Sequence, residues 1–546
     1  MAALPEISHK NETETEVKPN QATDITGSEL QEYLDIRQQR RWIFPRAALV
    51  GLGAGAISLL FRIGLTSADR LRNSLITWAH TLPYMGWIFP VLLTMVGAFV
   101  AVTLTRRFAP EASGSGIPHL EAVLQHLRKL HWKRLLPVKF FGGILAIGSG
   151  LALGREGPSV QMGGAVADAV SRLLKVSNRE RLTLISAGAG AGLAAAFNAP
   201  LAGLIFVLEE VRRDFQPIVF GAAFIASMMA DIVARMGSGQ FPVFSIPSYA
   251  MPSLETLPIF AVLGLLAGGM GVFFNRSLLW LGNQFTRIPT RFITLTAGLV
   301  GGLIGLAGWF YPNLIGSGHT LAEAALRGEL VLSVIPAFFL LRLLFTTASY
   351  STGAPGGIFA PMLALGALLG LGVGQLSQMA LPQIVTIPAV FAVVGMAAFF
   401  TAVVRAPLTG IMLIIEMTGN YSQMLPLLVS CFCAYAVAEV LRDLPIYEAL
   451  LQRDVRRNGG LESLKEPVVV TYTIHDGAPF SGRQVKQLGL PAGCILVRCS
   501  DGKREWVPKA NTRLEAHMHV TAIVAPDAES GLEILRKGCT GGDSAP

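Results

Sequence analysis

Residues 343–404 read LLFTTASYSTGAPGGIFAPMLALGALLGLGVGQLSQMALPQIVTIPAVFAVVGMAAFFTAVV, 62 positions without an Asp, Glu, Lys, Arg or His. One bilayer crossing takes about 20 apolar residues, so several crossings or half-crossings are folded into this stretch. It is also rich in helix breakers: Gly353, Pro355, Gly356, Gly357 and Pro361 fall within nine positions. Backbone groups freed by a broken helix cannot face hydrocarbon; they line a protein-enclosed cavity or bind something. Repeated mid-membrane breaks mark a transporter or channel rather than a receptor. The stretch therefore predicts an all-α polytopic membrane protein with broken and re-entrant helices.

The whole chain supports that class. It has 546 residues, 52% of them hydrophobic, and a mean hydropathy of +0.51. Charged residues make up only 15%, against about 25% in an ordinary soluble domain. Residues 41–451 hold 44 of the 80 charges, which excludes a soluble core of that size and excludes disorder. The net charge of +8 does not point to nucleic acid, because its excess sits in the apolar section. Basic clusters such as Arg128-Lys129-Leu130-His131-Trp132-Lys133-Arg134 read as cytoplasmic loops under the positive-inside rule. No apolar signal-peptide core precedes Arg40, so residues 1–40 read as a cytoplasmic arm and both termini are expected on that side. The five cysteines form neither a metal-ligand spacing nor a disulfide framework, and the nine histidines do not cluster. No nucleophile–base arrangement, P-loop or dinucleotide fingerprint is present. Neither an enzyme, a metal nor a cofactor is expected.

An internal repeat organises the apolar section. Asn198-Ala199-Pro200-Leu201-Ala202-Gly203 runs through five apolar residues to Glu209, and Arg405-Ala406-Pro407-Leu408-Thr409-Gly410 does the same to Glu416. Gly188 and Gly395 match at the same offset of 207 residues. Two halves follow, about 45–235 and 255–450, whose relative orientation the letters leave open. Glu416 is expected to be structural and ion-paired.

A helix that starts inside a membrane presents unpaired N–H groups and the positive end of its dipole. Such a site holds an anion without a fixed cation. Three breaks qualify: Gly114-Ser115-Gly116-Ile117-Pro118, Gly154-Arg155-Glu156-Gly157-Pro158 and Gly357-Ile358-Phe359-Ala360-Pro361. Taken from the residues alone, Glu156 is either a carboxylate that competes with an anion for such a site or a partner for the helix dipole and Arg155. Tyr447 is either a site residue or an interfacial aromatic.

These three motifs, in this order, resemble the signature motifs of the CLC family of chloride channels and chloride/proton antiporters, prokaryotic type. The resemblance covers essentially the whole membrane section. It implies a homodimer in a plasma membrane (the inner membrane of a prokaryote), each subunit with its own pathway built from two inverted halves. It implies chloride as the transported ion, with Ser115, Gly116, Ile117, Arg155, Gly157, Ile358, Phe359 and Tyr447 around it. Serine at the position of Ser115 goes with chloride in that family. Glu156 resembles its gating glutamate. Glu210 resembles the inner proton-transfer glutamate that exchangers keep and channels generally lack, so proton-coupled antiport is expected over a passive voltage- or pH-gated channel.

After Leu451 the composition turns soluble. Residues 452–466 read as a basic linker, 467–538 as a small cytoplasmic α/β domain and 539–546 as a tail. Strands are predicted at Val468–Thr473, Cys494–Cys499 and His519–Val524, with a helix at Ala528–Lys537. Gly489-Leu490-Pro491-Ala492-Gly493-Cys494-Ile495-Leu496-Val497-Arg498 and Trp506-Val507-Pro508 resemble the C-terminal ligand-binding lobe of RCK/TrkA potassium-transport regulators. That resemblance implies a possible small regulatory ligand. It also raises a cation transporter as a distant alternative, which would need carbonyl- or carboxylate-lined sites.

Overall fold

A computed structural model of the chain describes residues 23–540 apart from 241, 245, 248, 458–466, 502–503, 526–527 and 529. Eight helices make a first half: α1 (Thr23–Ala79), α2 (Ile88–Phe108), α3 (Ile117–Leu124), α4 (Trp132–Ser149), α5 (Glu156–Leu173), α6 (Asn178–Phe197), α7 (Pro200–Phe206) and α8 (Pro217–Ser238). Eight more make a second: α9 (Leu257–Thr286), α10 (Ile293–Phe310), α11 (His319–Leu326), α12 (Ile335–Ser351), α13 (Phe359–Ala380), α14 (Ala389–Val404), α15 (Pro407–Thr418) and α16 (Met424–Val440). Helix α17 (Ile446–Arg457) follows. Among the described residues, seven helical segments are long and apolar enough to cross a bilayer. Others, such as α3, α7, α11 and α15, span only part of one.

The repeat extends to backbone conformation. Asn198 and Arg405 close α6 and α14 in the left-handed region, at φ of 53° and 70°. Ala199 and Ala406 then extend with ψ of 77° and 76°, and Pro200 and Pro407 open the next helix. Proline at a first helical position sacrifices no bond, because its N–H would have been unpaired. Gly188 packs on Gly163 and Gly395 on Gly366, so closely that a methyl group at any of the four would overlap backbone. That contact sets the spacing of α5 on α6 and of α13 on α14.

The orientation left open by the letters follows from two hydrogen-bonded contacts. Glu209, past the end of α7, accepts from Leu408 N and Thr409 N at the start of α15. Glu416, near the end of α15, accepts from Leu201 N and Ala202 N at the start of α7. Start meets end in both directions, so α7 and α15 run antiparallel. Equivalent helices of the two halves are therefore inverted with respect to each other. Glu416 is a helix cap rather than an ion-pair partner, because backbone N–H groups fill both its oxygens.

Strands β1 (Val468–Thr473), β2 (Cys494–Ser500), β3 (Glu505–Trp506) and β4 (His519–Val524) form one antiparallel sheet in the order β1-β4-β2-β3. Helix α18 (Ser530–Thr540) closes its core, which includes Ile474, Phe480, Leu496, Val520, Val524 and Leu535. Three boundaries differ from expectation. Helix α1 already begins at Thr23, so residue 40 does not end a structural element. The expected linker border at 451 falls inside α17, which continues to Arg457; the rest of that linker, 458–466, lies outside the described residues. The expected tail loses Cys539 and Thr540 to α18, because Cys539 is fully buried and its carbonyl accepts from His475 N. Residues 541–546 lie outside the described set.

Two measurements test these packing statements. Gly366→Ala should cost about 1–3 kcal/mol by overpacking, seen as a lower Tm in detergent; an unchanged Tm would contradict the close contact. Burial pushes the Cys539 thiol up from 9.0 to about 11. The unfolded thiol ionises first, so the lobe should lose stability as pH rises above about 9 and stop losing it near 11. A pH scan of thermal unfolding in Cys539→Ala should lack that component.

Candidate functional site

The three breaks meet one another. Gly114 N donates to Ala354 O at 3.2 Å and Gly356 N to Gly114 O at 3.0 Å. Gly154 N donates to Gly357 O at 2.6 Å and Gly357 N to Gly154 O at 2.7 Å. These short bridges join the turn before α3 and the turn before α5 to the turn before α13. Gly114 and Gly116 adopt φ of 62° and 86°, the left-handed region that favours glycine. A Cβ at Gly157 would overlap Ser115, so the start of α5 lies directly against the Ser115 turn. The N-cap residues of α3, α5 and α13 (Gly116, Arg155 and Ile358) make no side-chain capping bond.

What fills this meeting point is informative. Glu156, only 2% exposed, turns its Oε2 to Ala360 N in the first turn of α13, at 3.3 Å. The carboxylate thus rests on the N-terminus of a helix from the other half. The Ser115 hydroxyl and the Tyr447 hydroxyl are both buried, and neither makes a hydrogen bond among the described residues. A buried hydroxyl left without a partner carries a desolvation cost that a bound anion would relieve. Phe359 packs on Phe197, Phe206 and Phe400, with ring centroids 5.4, 6.5 and 4.6 Å away. Those rings hold the start of α13 in place. Arg155 is differently disposed from the other expected anion-site residues. Its Nη2 donates to Ala196 O at the end of α6, and its Nε lies 3.8 Å from Glu156 Oε1.

Glu210 lies on a π-helical turn, Val207–Val211, that follows α7, and it is 3% exposed. Arg213 Nη2 approaches its Oε1 to 3.9 Å, while Arg213 Nη1 donates to Glu448 Oε2 at 3.1 Å. Glu448 adjoins Tyr447 on α17, so this ion pair ties the wall of Glu210 to the helix that supplies the tyrosine. A cavity of about 650 Å³ opens here, lined by Glu121, Glu210, Arg213 and Glu448, with Val469–Tyr472 of β1 on another wall.

Three groups escaped sequence reasoning. Glu121 on α3 is 4% exposed and faces the same cavity as Glu210; its signal was a lone carboxylate soon after Gly-Ser-Gly. Lys139 on α4 is completely buried and donates to Ala112 O at 2.9 Å and Gly114 O at 2.7 Å, pinning the Ser115 turn from behind. Arg342 on α12 is likewise buried and donates to Leu314 O at 2.9 Å, just before Gly316-Ser317-Gly318. That second Gly-Ser-Gly, with φ of 69° and 82° at its glycines, is the repeat partner of the first. Among the described residues no group of His, Cys, Asp and Glu is arranged to hold a metal ion.

Comparisons with known proteins agree with this geometry. The family profile described as "Voltage gated chloride channel" matches residues 97–439, and the TrkA-C domain profile matches 469–533. The H(+)/Cl(-) exchange transporter ClcA of Vibrio parahaemolyticus is 43% identical over 423 residues, covering 76% of this chain and 90% of that protein. ClcA of Citrobacter koseri is 39% identical over 429 residues, covering 78% and 91%. Among solved structures, a slow cyanobacterial Cl-/H+ antiporter superposes with a TM-score of 0.74 at 37% identity, covering 76% of this chain and 98% of that one. A CLC-type fluoride/proton antiporter, at 22% identity and a TM-score of 0.62, shares the fold. With its three broken-helix motifs joined at one point and a matching profile across most of its membrane section, the chain belongs to the voltage-gated chloride channel family, the CLC family.

Proposed function

We propose that this chain exchanges chloride for protons across a plasma membrane, as a multi-pass protein with both termini cytoplasmic and as a homodimer. One observation carries the reading: the Glu156 carboxylate occupies a helix N-terminus that is equally a site for a small anion. Ionised, Glu156 competes with chloride for the N–H groups of α13. Protonated, it loses its attraction to the dipole and leaves the position to the ion. Each exchange of occupant thereby couples the protonation of Glu156 to occupancy of the anion site.

Chloride, in this reading, is held by the Ser115 and Tyr447 hydroxyls together with the backbone at Gly116, Ile117, Gly157, Ile358 and Phe359. Arg155 contributes through its approach to Glu156 rather than through a direct contact with the ion. Glu210 receives protons from the inner cavity, where Arg213 and Glu448 hold its surroundings in register. The relatives named as exchangers support coupled transport over passive conduction. Helix N-termini, not carbonyl ends, meet at the centre, which argues against a cation pathway. The TrkA-C lobe serves as a regulatory domain for a small ligand, supported by the position of β1 on the wall of the Glu210 cavity.

Liposomes with a chloride gradient test the coupling. The intact protein should drive protons uphill, and a chloride flux with no proton movement would refute antiport. Glu156→Ala should abolish proton movement while chloride still passes. Glu210→Ala should do the same, and an unchanged proton flux there would remove Glu210 from the mechanism. Ser115→Ala should weaken chloride binding roughly tenfold or more, the cost of one hydrogen bond to a charged partner. Calorimetric titration of chloride in detergent measures it, and an unchanged affinity would place the ion elsewhere.

A further inference from the structure

Glu209 and Glu210 are consecutive carboxylates on one π-helical turn, yet they face different partners. Glu209 Oε1 accepts from Leu408 N at 3.0 Å, and its Oε2 accepts from Thr409 N and Thr409 Oγ1, both at 2.7 Å. All three donors belong to the first turn of α15, in the other half of the molecule. Glu210 Oε1, by contrast, is buried without a hydrogen bond among the described residues, and Arg213 Nη2 comes no closer than 3.9 Å. Neighbouring side chains on a helical turn diverge and cannot face each other. Fixing where Glu209 points therefore fixes the rotation of the turn and the direction of Glu210. A π-turn is a local widening of the helix, common where a side chain must be re-aimed, and here it follows α7 without a cap of its own.

The repeat supplies an internal control. Glu416 caps α7 through Leu201 N at 3.1 Å and Ala202 N at 2.8 Å. Its chain neighbours are Ile415 and Met417, neither of which carries a proton. The two caps thus share their hydrogen bonding and differ in what sits beside them.

We propose that Glu209 is a positioning residue for proton transfer. By capping α15 it holds the π-turn so that Glu210 faces the cavity shared with Glu121, Arg213 and Glu448. This rests on the reading of Glu210 as a proton acceptor. The cap also makes the proton path of the first half depend on the helix start of the second, through Thr409.

The test measures protons moved per chloride, and chloride turnover separately, for the full-length protein in liposomes. Glu209→Ala should lower the proton-to-chloride ratio roughly fivefold, the population shift expected when a typical cap is lost, with chloride turnover retained. Thr409→Val, which deletes only the hydroxyl donor, should lower the ratio in the same direction, and Thr409→Ser should restore it. Glu416→Ala should lower the Tm like Glu209→Ala but leave the ratio at the wild-type value. An unchanged ratio in Glu209→Ala overturns the proposal, as does an equal fall in Glu416→Ala. If Glu209→Ala yields no folded protein, the Thr409 pair decides by the same criterion. Glu210→Ala separates the two levels. A wild-type ratio there defeats the underlying reading, whereas a lost ratio there with a normal one in Glu209→Ala defeats the positioning role alone.

Discussion

An unpaired backbone N–H in an apolar interior costs several kcal/mol, and this chain starts several of its helices in buried apolar surroundings. Most of its architecture answers that one constraint. The turns before α3, α5 and α13 pair with one another through backbone hydrogen bonds. The starts of α7 and α15 are met by carboxylates from the opposite half. At the meeting of these turns the Glu156 carboxylate accepts from Ala360 N, and the buried Ser115 hydroxyl has no hydrogen bond among the described residues. A membrane protein that must hold an anion briefly has good reason to be built this way. Helix ends attract without trapping, whereas a fixed cation in a low-dielectric interior binds far more tightly.

Buried cations are nevertheless present, and their placement respects the same logic. Lys139 and Arg342 occupy corresponding sites in the two halves, each bonded to a carbonyl at the back of a Gly-Ser-Gly turn. They orient backbone rather than face the site. The carboxylates divide in the same manner. Glu209 and Glu416 are consumed by helix caps, whereas Glu121 and Glu210 each keep one buried oxygen without a hydrogen bond among the described residues.

The breaks, the repeat and the three motifs were legible because they are local: a proline or glycine in an apolar run has the same backbone consequence wherever it occurs. Asn198 and Arg405 carry different side chains, yet their surroundings predicted the same turn, and their dihedral angles agree. The strands Val468–Thr473 and His519–Val524 were readable as short β-like runs set apart by turn signals. Glu121, Lys139 and Arg342 were not, since a single charged letter in an apolar segment does not say which helix end it will reach. Glu416 is structural, as its place in the repeat implies, but its partner is not a cation. Its partners are backbone N–H groups 214 and 215 positions away, which no local pattern records.

By itself the sequence determined the membrane class, the sites at which helices break, the twofold repetition and the family. Each depends on composition or on residues close together in the chain. The inversion of the halves, the meeting of three helix starts and the different partners of Glu209 and Glu210 were decided only in the tertiary structure. The physical reason is that a helix end is chemically unfinished. Its backbone groups are specified locally, but the group that satisfies them comes from wherever the fold brings a carboxylate, a carbonyl or an ion.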